Sequence, residues 1–179
     1  MFMSRGFDGT SIDAVAEAAG MSKRTVYARY RDKNELFSAA LRELIERSLV
    51  PFKQFNPSTS QLEPALMAIG RHLLSIALTP RSVGLYRILV AEAERRPELA
   101  RLAHAEGRRQ AIRGIAATLR RHADELRVRD LDHAAEQFLS LVVDSSLRSA
   151  AFGLGSGAAD IDTKVRAAVD LFLNGAGVG

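Results

Sequence analysis

The sequence predicts an all-α protein. Helix-forming Ala and Leu are abundant among its 179 residues, and strand-forming residues do not cluster. Apolar residues recur three and four positions apart, which is the spacing of one face of an α-helix. Glycines, prolines and short polar runs separate these periodic segments. We therefore expect about nine helices and no sheet, in one or two modest domains with a real hydrophobic core.

Residues 10–36 predict two short helices joined by a tight turn, followed by the start of a third. Thr10 or Ser11 is expected to cap the first helix, with an acid at position 13 completing a capping box from Thr10. Gly20 is expected to end that helix, and Ser22 to cap the second one. This order of elements is that of a helix-turn-helix DNA-binding head.

A third helix is expected to begin at Asp32, which with Glu35 resembles a capping pair, and to run to about Leu49. Residues 1–9 are expected to form the tail of an earlier helix that ends at Gly6. The apolar stripe of the third helix consists of Leu36, Phe37, Leu41, Leu44 and Ile45.

Residues 22–30 combine an apolar side with a cationic side, as a helix that enters the major groove of DNA requires. Val26 and Tyr30 lie four positions apart and are expected to face inward. Between Lys23 and Lys33, five basic residues face one acid, so that the local charge equals the net charge of +4 of the whole chain. A basic helix that merely faces solvent is the alternative, but the caps and the glycine turn favour a docking unit. The outward side chains are Lys23, Arg24, Thr25, Tyr27 and Arg29.

Phosphate contacts are expected where helices begin. Thr10 and Ser22 lie at predicted helix N-termini, where free backbone N–H groups and the helix dipole attract anions. Lys33 lies in the first turn of the third helix, so its ammonium can join that N-terminus at a phosphate. Such contacts would fix the position of the reading helix on the duplex, while contacts to base edges would supply specificity.

The segment TSIDAVAEAAGMSKRTVYARYRDKNEL resembles the DNA-binding head of the TetR family of bacterial repressors. More loosely, the stretch GLYRILVAEAERRPELARL at 84–102 resembles the effector domain of one TetR subgroup. The head shares with the family, at the family's spacing, Thr10, Ala16, Gly20, Ser22, Thr25, Tyr27, Tyr30, Lys33 and Leu36.

The resemblance implies an all-helical homodimer that binds a near-palindromic DNA operator and releases it when a small molecule binds the C-terminal domain. Base contacts are implied for Lys23 and Arg24, with Thr25 as a further candidate, and Arg29 stands where the family often carries His, so that it would contact a phosphate. The residues implied to hold phosphates are Thr10, Ser22, Thr25, Tyr27 and Lys33.

A head of residues 1–47 is expected to be followed by a ligand-binding and dimerisation domain of residues 48–179. A linker rich in Pro, Asn and Ser is predicted at 51–60, and a flexible glycine-rich turn at 153–157. The second domain is expected to contain helices at 61–79, 82–94, 97–125, 131–152 and 160–174.

Four side chains of the second domain are candidates for contact with an apolar or aromatic effector. His72 lies beside an apolar stripe, where a hydrogen-bonded core histidine is the alternative. Tyr86 and Phe138 could line the same cavity or belong to the core. Asp144 precedes Arg148 by four positions and could form an intrahelical bridge, a dimer contact or a ligand anchor.

The last two helices, 131–152 and 160–174, are the expected homodimer interface, because they carry more apolar residues than two terminal helices of a monomer need. Burial inside the monomer is the alternative. The apolar residues concerned are Phe138, Leu139, Leu141, Val142, Val143, Leu147, Phe152, Ile161, Val165, Val169, Leu171 and Phe172.

No catalytic constellation stands out, and we expect neither an enzyme, nor a metal site, nor a cofactor. The sequence has no cysteine, which excludes disulfides and thiolate chemistry. Its four histidines lack the HExxH pattern or any paired metal spacing. No apolar run approaches the roughly 18 residues of a membrane span, so we expect a cytoplasmic protein without a membrane partner.

We therefore predict a ligand-responsive transcriptional repressor. One departure from the family pattern is that only the last turn of its first helix precedes Gly6. If the protein begins at Met1, Ile12, Val15 and Val26 are expected to lack packing, and a start upstream of Met1 is the alternative. This departure motivates the alternative function, a helical small-molecule-binding or scaffolding protein whose head does not bind DNA.

Overall fold

The computed structural model describes residues 1–54, 57, 59–154 and 160–176, and within them all regular structure is helical, as predicted. Two π-helical turns interrupt the series at His104–Arg108 and Ser140–Asp144, and a 3₁₀ turn lies at Ala123–Glu125. The α-helices are α1 (Phe2–Arg5), α2 (Ile12–Ala18), α3 (Lys23–Arg29), α4 (Lys33–Gln54), α5 (Leu62–Ala77), α6 (Pro80–Glu92), α7 (Pro97–Ala103), α8 (Arg109–Arg121), α9 (Leu131–Leu139), α10 (Ser145–Ala151) and α11 (Ile161–Ala176).

The boundaries of α2 and α3 follow from their caps. Ser11 Oγ accepts a hydrogen bond from the Ala14 N–H at 3.1 Å, so Ser11, not Thr10, is the N-cap of α2. The predicted capping box from Thr10 is therefore wrong. Gly20 turns the chain with a φ of 64°, a conformation that favours glycine. Ser22 then caps α3, as predicted.

The head has a small hydrophobic core, formed by Ile12, Ala16, Val26 and Leu36. All four are at most 8% exposed, and Val15 packs against them half-buried. Phe2 of the short α1 also packs against this core. The expectation that the head lacks packing is therefore wrong, because one aromatic ring covers the gap.

Helix α4 corresponds to the helix predicted from Asp32 to about Leu49, and it begins as predicted but ends later. Asp32 Oδ1 accepts from the Glu35 N–H, and Glu35 Oε2 accepts from the Arg31 N–H, at 2.9 and 2.7 Å. The helix passes Leu49 and continues through Pro51 to Gln54, so the first part of the predicted linker is helical. An interior proline removes one helix hydrogen bond and clashes with the preceding turn, but here it does not end the helix. Linker positions 55, 56 and 58 lie outside the described residues.

A second cluster joins the head to the rest of the chain and is called here the seam. Phe37, Leu41 and Ile45 of α4 pack in it against Leu85 of α6 and Leu99 of α7. The rings of Phe2 and Phe7 stand edge-on to Phe37, with centroids 4.9 and 5.1 Å away. The apolar stripe predicted for α4 is thus confirmed, with Leu36 in the head core and its other four residues in the seam.

The main core lies among α5, α8, α9, α10 and α11. It buries most of the apolar residues that we assigned to a dimer interface, Phe138, Val142, Val165 and Phe172 among them. Burial within one chain therefore explains most of that apolar surplus. The large apolar side chains left exposed on these last helices and the turn after α10 are Leu141, Phe152, Leu154 and Leu171.

The two longest predicted helices are each interrupted. The segment predicted as 97–125 consists of α7, the first π turn, α8 and the 3₁₀ turn, and the segment 131–152 contains α9, the second π turn and α10. Of the predicted glycine-rich turn, positions 155–157 lie outside the described residues. In the described part of the chain, no single helix is long and apolar enough to cross a membrane, although α5 and α6, bent by 66° at their junction, reach that length and composition together.

Candidate nucleic-acid interface and ligand cavity

Helix α3 has the two-sided construction predicted for residues 22–30. Val26 is 4% exposed in the head core, and Tyr30, just after the helix, is half-buried. The opposite side faces solvent, with Tyr27 half exposed at its centre. The exposed residues on this side are Ser22, Lys23, Arg24, Thr25, Tyr27 and Arg29. The structure therefore brings six of the eight predicted DNA-contact residues onto one open face.

Lys23 forms an ion pair that the sequence did not predict. Its Nζ lies 2.6 Å from Asp13 Oδ2 on α2, and both side chains are more than half exposed. The hydrogen bond to Asp13, reinforced by the charge of that carboxylate, raises the pKa of the Lys23 ammonium. Lys23 is thus charged but already partnered, and a phosphate or base would compete with Asp13 for it.

The N-terminus of α3 is held by two hydroxyl groups. Ser22 Oγ accepts from the Thr25 N–H at 3.1 Å and lies 2.7 Å from Thr25 Oγ1. This closed pair orients both hydroxyls at the start of the helix, where the dipole favours an anion. At the other end of α3, the guanidinium of Arg29 lies 5.7 Å from the ring centre of Tyr30.

The other two predicted contact residues lie apart from this face. The Thr10 hydroxyl donates to the Gly6 carbonyl at 2.8 Å, its N–H donates to the Phe7 carbonyl, and the residue is 2% exposed. Lys33 is half-buried, with its Nζ 3.5 Å from the Asp8 carbonyl and 4.4 Å from the ring centre of Phe7. Thr10 therefore fixes the turn before α2, and Lys33 lies against the seam.

A cavity of about 460 Å³ lies in the second half of the chain, within the size range of small-molecule sites. Its walls are mainly apolar, from α6, α7 and the two π turns, with Leu73 and Ile45 contributed by α5 and α4. Of the four predicted ligand residues, Tyr86 and Asp144 line it.

The other two predicted ligand residues are elsewhere. His72 lines a separate cavity of about 230 Å³ between α5 and α8. Phe138 is fully buried, and its ring stands edge-on to Phe172 with centroids 5.2 Å apart. Phe138 is thus a core residue, which was the alternative we considered. Helical periodicity shows which side chains face inward, but it does not separate a cavity wall from a packed core.

The polar end of the 460 Å³ cavity is organised by Arg108, a residue that our sequence analysis missed. Its guanidinium donates to Ser140 Oγ at 2.7 Å, Glu136 Oε1 at 3.2 Å and Asp144 Oδ1 at 3.4 Å. Asp144 thus pairs across helices with Arg108, an option that we had not considered beside a bridge to Arg148. The sequence carries no signal for this contact, because Arg108 and Asp144 are 36 residues apart and lie in two different π turns.

Across residues 1–54, 57, 59–154 and 160–176, no three His, Cys, Asp or Glu side chains are grouped to hold a metal ion. The open face of α3 and the 460 Å³ cavity are the two features of the described residues that contain most of the predicted site residues.

Comparison with known families adds a third line of support. Residues 1–40 match the bacterial regulatory proteins of the tetR family, and residues 64–175 match the C-terminal domain of AefR-like transcriptional repressors. The second match alone covers more than half of the chain.

Individual relatives are also transcriptional regulators by name. The HTH-type transcriptional regulator Mb1581 of Mycobacterium bovis, itself uncharacterized, is 35% identical over 103 residues, 55% of this chain and 46% of that protein. The chain thus spans about half the length of the curated relatives it matches.

Solved structures share the fold. The flavonoid-responsive regulator FrrA is 32% identical, with a TM-score of 0.71 over 98% of this chain and 91% of that one. A TetR regulator from Agrobacterium tumefaciens reaches a TM-score of 0.82 at 23% identity, over 99% of this chain and 88% of that one. The chain belongs to the TetR family of bacterial regulatory proteins.

Proposed function

We propose that this protein is a ligand-responsive transcriptional repressor that binds duplex DNA through α3. The observation that carries the proposal is the division of α3 between Val26, seated in the head core, and an exposed side rich in cations and hydroxyls. One α-helix fits the major groove of B-DNA and can present such a side to the base edges. The rival function, a head that does not bind DNA, rested on a packing deficit that the filled head core removes.

The exposed residues of α3 divide into two roles. Arg24 and Lys23 can donate to guanine O6 and N7, Arg24 in a bidentate manner, and Thr25 can contact a neighbouring base. Ser22, Thr25, Tyr27 and Arg29 are suited to phosphates, which fix the position of the helix but carry no sequence information. Lys33 would reach a phosphate by leaving the ring of Phe7, whereas Thr10, bonded through both its donors, would position α2.

A homodimer would present two copies of α3 to one face of the DNA. Heads about 34–36 Å apart would enter successive major grooves of a near-palindromic operator. The second domain, from about residue 48, would supply the interface through helices 131–152 and 160–174. Exposed Leu141, Phe152 and Leu171 support this interface, since they form what remains of the apolar surface there after the main core is filled.

The 460 Å³ cavity is the proposed effector site. Its apolar walls suit an apolar or aromatic compound, and the similarity to a flavonoid-responsive regulator supports an aromatic one that carries hydroxyl groups. At the polar end, Arg108 and Asp144 line the cavity and pair with each other, and Arg108 is further occupied by Glu136 outside the lining. Because Arg108 is already paired with two carboxylates, the lining carboxylate of Asp144 favours a ligand that donates hydrogen bonds over one that carries a carboxylate.

Effector binding would favour a conformer with a different separation of the two heads. The ligand can shift that equilibrium only by the difference between its affinities for the two conformers. Release of the operator therefore requires that the cavity change shape when the heads move.

Selection of duplexes from a random-sequence pool tests DNA binding. We expect enrichment of a near-palindrome, bound in fluorescence anisotropy with an affinity that falls steeply as salt rises, because phosphate contacts release counterions. Recovery of no consensus, with equal weak binding to all duplexes, would contradict the proposal.

Calorimetric titration with a flavonoid aglycone tests the cavity. Ala100→Phe places a ring into the 460 Å³ cavity, and Ala117→Phe is the matched control at the 230 Å³ cavity. We expect binding to be lost in the first variant and retained in the second. Loss of binding in Ala117→Phe with retention in Ala100→Phe would instead assign the ligand to the 230 Å³ cavity lined by His72.

Light scattering on a sizing column tests the dimer. We expect twice the chain mass of 19.5 kDa for the native protein and a shift toward the single chain for Phe152→Arg/Leu171→Arg. Arg113→Ala, which changes an exposed residue of α8, serves as the control. A dimer unaffected by the double substitution would place the interface elsewhere.

A further inference from the structure

Arg96 occupies an unusual position for a charged residue. It lies in the turn between α6 and α7 and is 8% exposed, although arginine is rarely buried unless it is paired. Its guanidinium donates to the carboxylate of Glu92, the last residue of α6, which is also 8% exposed. A buried ion pair therefore closes the α6–α7 turn.

The same guanidinium reaches the head. It donates to Oδ1 of Asn34 in the first turn of α4, and it lies 4.3 Å from the ring centre of Phe7 and 4.8 Å from that of Phe37. One side chain thus contacts three head residues through a hydrogen bond and two cation–π contacts. A turn of the second domain is in this way attached to the segment that leads into α4.

The helices on both sides of this turn form a wall of the 460 Å³ cavity. Leu85 and Leu89 of α6 and Ala100 and Ala103 of α7 line it, and Leu85 and Leu89 belong also to the seam. A ligand that pushes α6 or α7 outward would therefore displace the turn between them. The head would then either move together with Arg96 or lose its contacts to the guanidinium.

Taking as given that the cavity binds an effector and α3 binds DNA, we propose that Arg96 is the positioning residue through which occupancy of the cavity changes the orientation of the head. A buried charge cannot be separated from its partners gradually, because each lost partner leaves it desolvated and unpaired. The contact therefore favours two discrete head positions over a continuous range. The rival route is α4 itself, which runs from the head to Ile45 in the cavity wall.

The chain has no cysteine, so one introduced thiol can carry a covalent substitute for the unidentified ligand. Val90 lines the cavity and is 60% exposed, and Val90→Cys can therefore be alkylated with N-(1-pyrenyl)maleimide to place a polycyclic aromatic at the cavity mouth. Arg113→Cys, exposed on α8, is the labelled control. The readout is the ratio of affinities for a selected duplex before and after labelling.

Three backgrounds are compared: the native turn, Asn34→Ala, and the double substitution Glu92→Leu/Arg96→Met. Asn34 is exposed, and its substitution removes only the hydrogen bond to the head while the pair with Glu92 stays intact. The double substitution removes both buried charges together, so that no unpaired ion is left behind. Circular dichroism and melting curves verify folding, and if the double variant does not fold, Asn34→Ala decides.

We expect pyrene at position 90 to weaken duplex binding about tenfold or more in the native background and less than about threefold in the double variant. In Asn34→Ala we expect an intermediate effect, because the cation–π contacts of Arg96 to Phe7 and Phe37 remain. Pyrene at position 113 is expected to change nothing in any background. A merely structural role for Arg96 would lower stability but leave the labelling ratio unchanged.

An equal labelling ratio in all three backgrounds would overturn the inference and leave the proposed function standing, with α4 as the route. No effect of labelling in any background would overturn the inference together with effector control from this cavity. Failure to select any duplex would remove the DNA-binding proposal and the inference with it.

Discussion

The head and the cavity-bearing half of this chain are built from the same kind of helix, but their contacts span different distances in the sequence. The head core joins four buried residues within 12–36, and its caps are three residues from their partners. In the second half, Arg71 bonds to Asp162 and Arg87 to Ala151, while Arg108 reaches Ser140. The head is thus specified locally, whereas the cavity exists only after distant segments have met.

The difference in core size has a consequence for stability. Four buried side chains are a small core, and small cores leave little net free energy of folding. The head therefore relies on the seam, where Phe37 packs beneath Phe2 and Phe7 and against Arg96. The part of the chain that would contact DNA therefore depends on its neighbour for stability.

The largest expected effect comes from a matched pair of phenylalanines, both fully buried and both in edge-on ring contacts. Phe37→Ala and Phe138→Ala should each cost about 3–5 kcal/mol of unfolding free energy. We expect Phe37→Ala to split thermal unfolding into two steps and to abolish duplex binding in the first, while Phe138→Ala lowers the main transition. Identical single transitions in both variants would show that the two cores unfold as one unit.

Next in size are substitutions on the proposed DNA face. Arg24→Ala should lose about 1–3 kcal/mol of discrimination between a selected and a scrambled duplex, because it removes a contact to a base edge. Lys33→Ala should weaken binding to both duplexes alike. It should also lower by about one the slope of the logarithm of the binding constant against the logarithm of salt concentration. Anisotropy titrations at several salt concentrations measure both, with Arg113→Ala as control. Equal losses on the two duplexes for Arg24→Ala would refute its role in base reading.

Two glycines should respond in opposite directions. Gly20→Ala forces a side chain into the left-handed region and should destabilise the head by about 1–2 kcal/mol. Gly114 lies inside α8 with open space around an added Cβ, so Gly114→Ala should stabilise the protein by about 0.5–1 kcal/mol. Denaturant titration compares the two, and destabilisation by Gly114→Ala would mean that α8 packs more closely there.

The smallest expected effect concerns the ion pair between α2 and α3. Asp13→Asn removes the partner of Lys23 and a negative charge near the proposed phosphate path. We expect affinity for every duplex to rise about two- to fivefold at low salt and the gain to vanish at high salt, where screening is strong. Asp170→Asn, exposed on α11, is the charge-matched control. A gain restricted to the selected duplex would instead indicate that Asp13 affects base reading.

Much of the head could be predicted residue by residue. Gly20, Ser22 and the pair Asp32 and Glu35 act within one or two helical turns, so their spacing is visible in the sequence. The predictions that were wrong concern residues whose partners lie further away in the sequence. Asp13 bonds to Lys23 instead of capping α2, and the ring of Phe2 fills the core that we expected to be open.

By itself, the sequence determined the helices, their inward faces and the two-sided character of α3, because helix formation and amphipathic burial depend on residues only three or four positions apart. The tertiary structure decided which inward residues line a cavity, and it brought Arg108 to Asp144 and Arg96 to Asn34. Those contacts join segments 36 and 62 positions apart. Both contacts depend on the packing of whole helices, and the one between Arg108 and Asp144 depends also on the two π turns in which these residues lie.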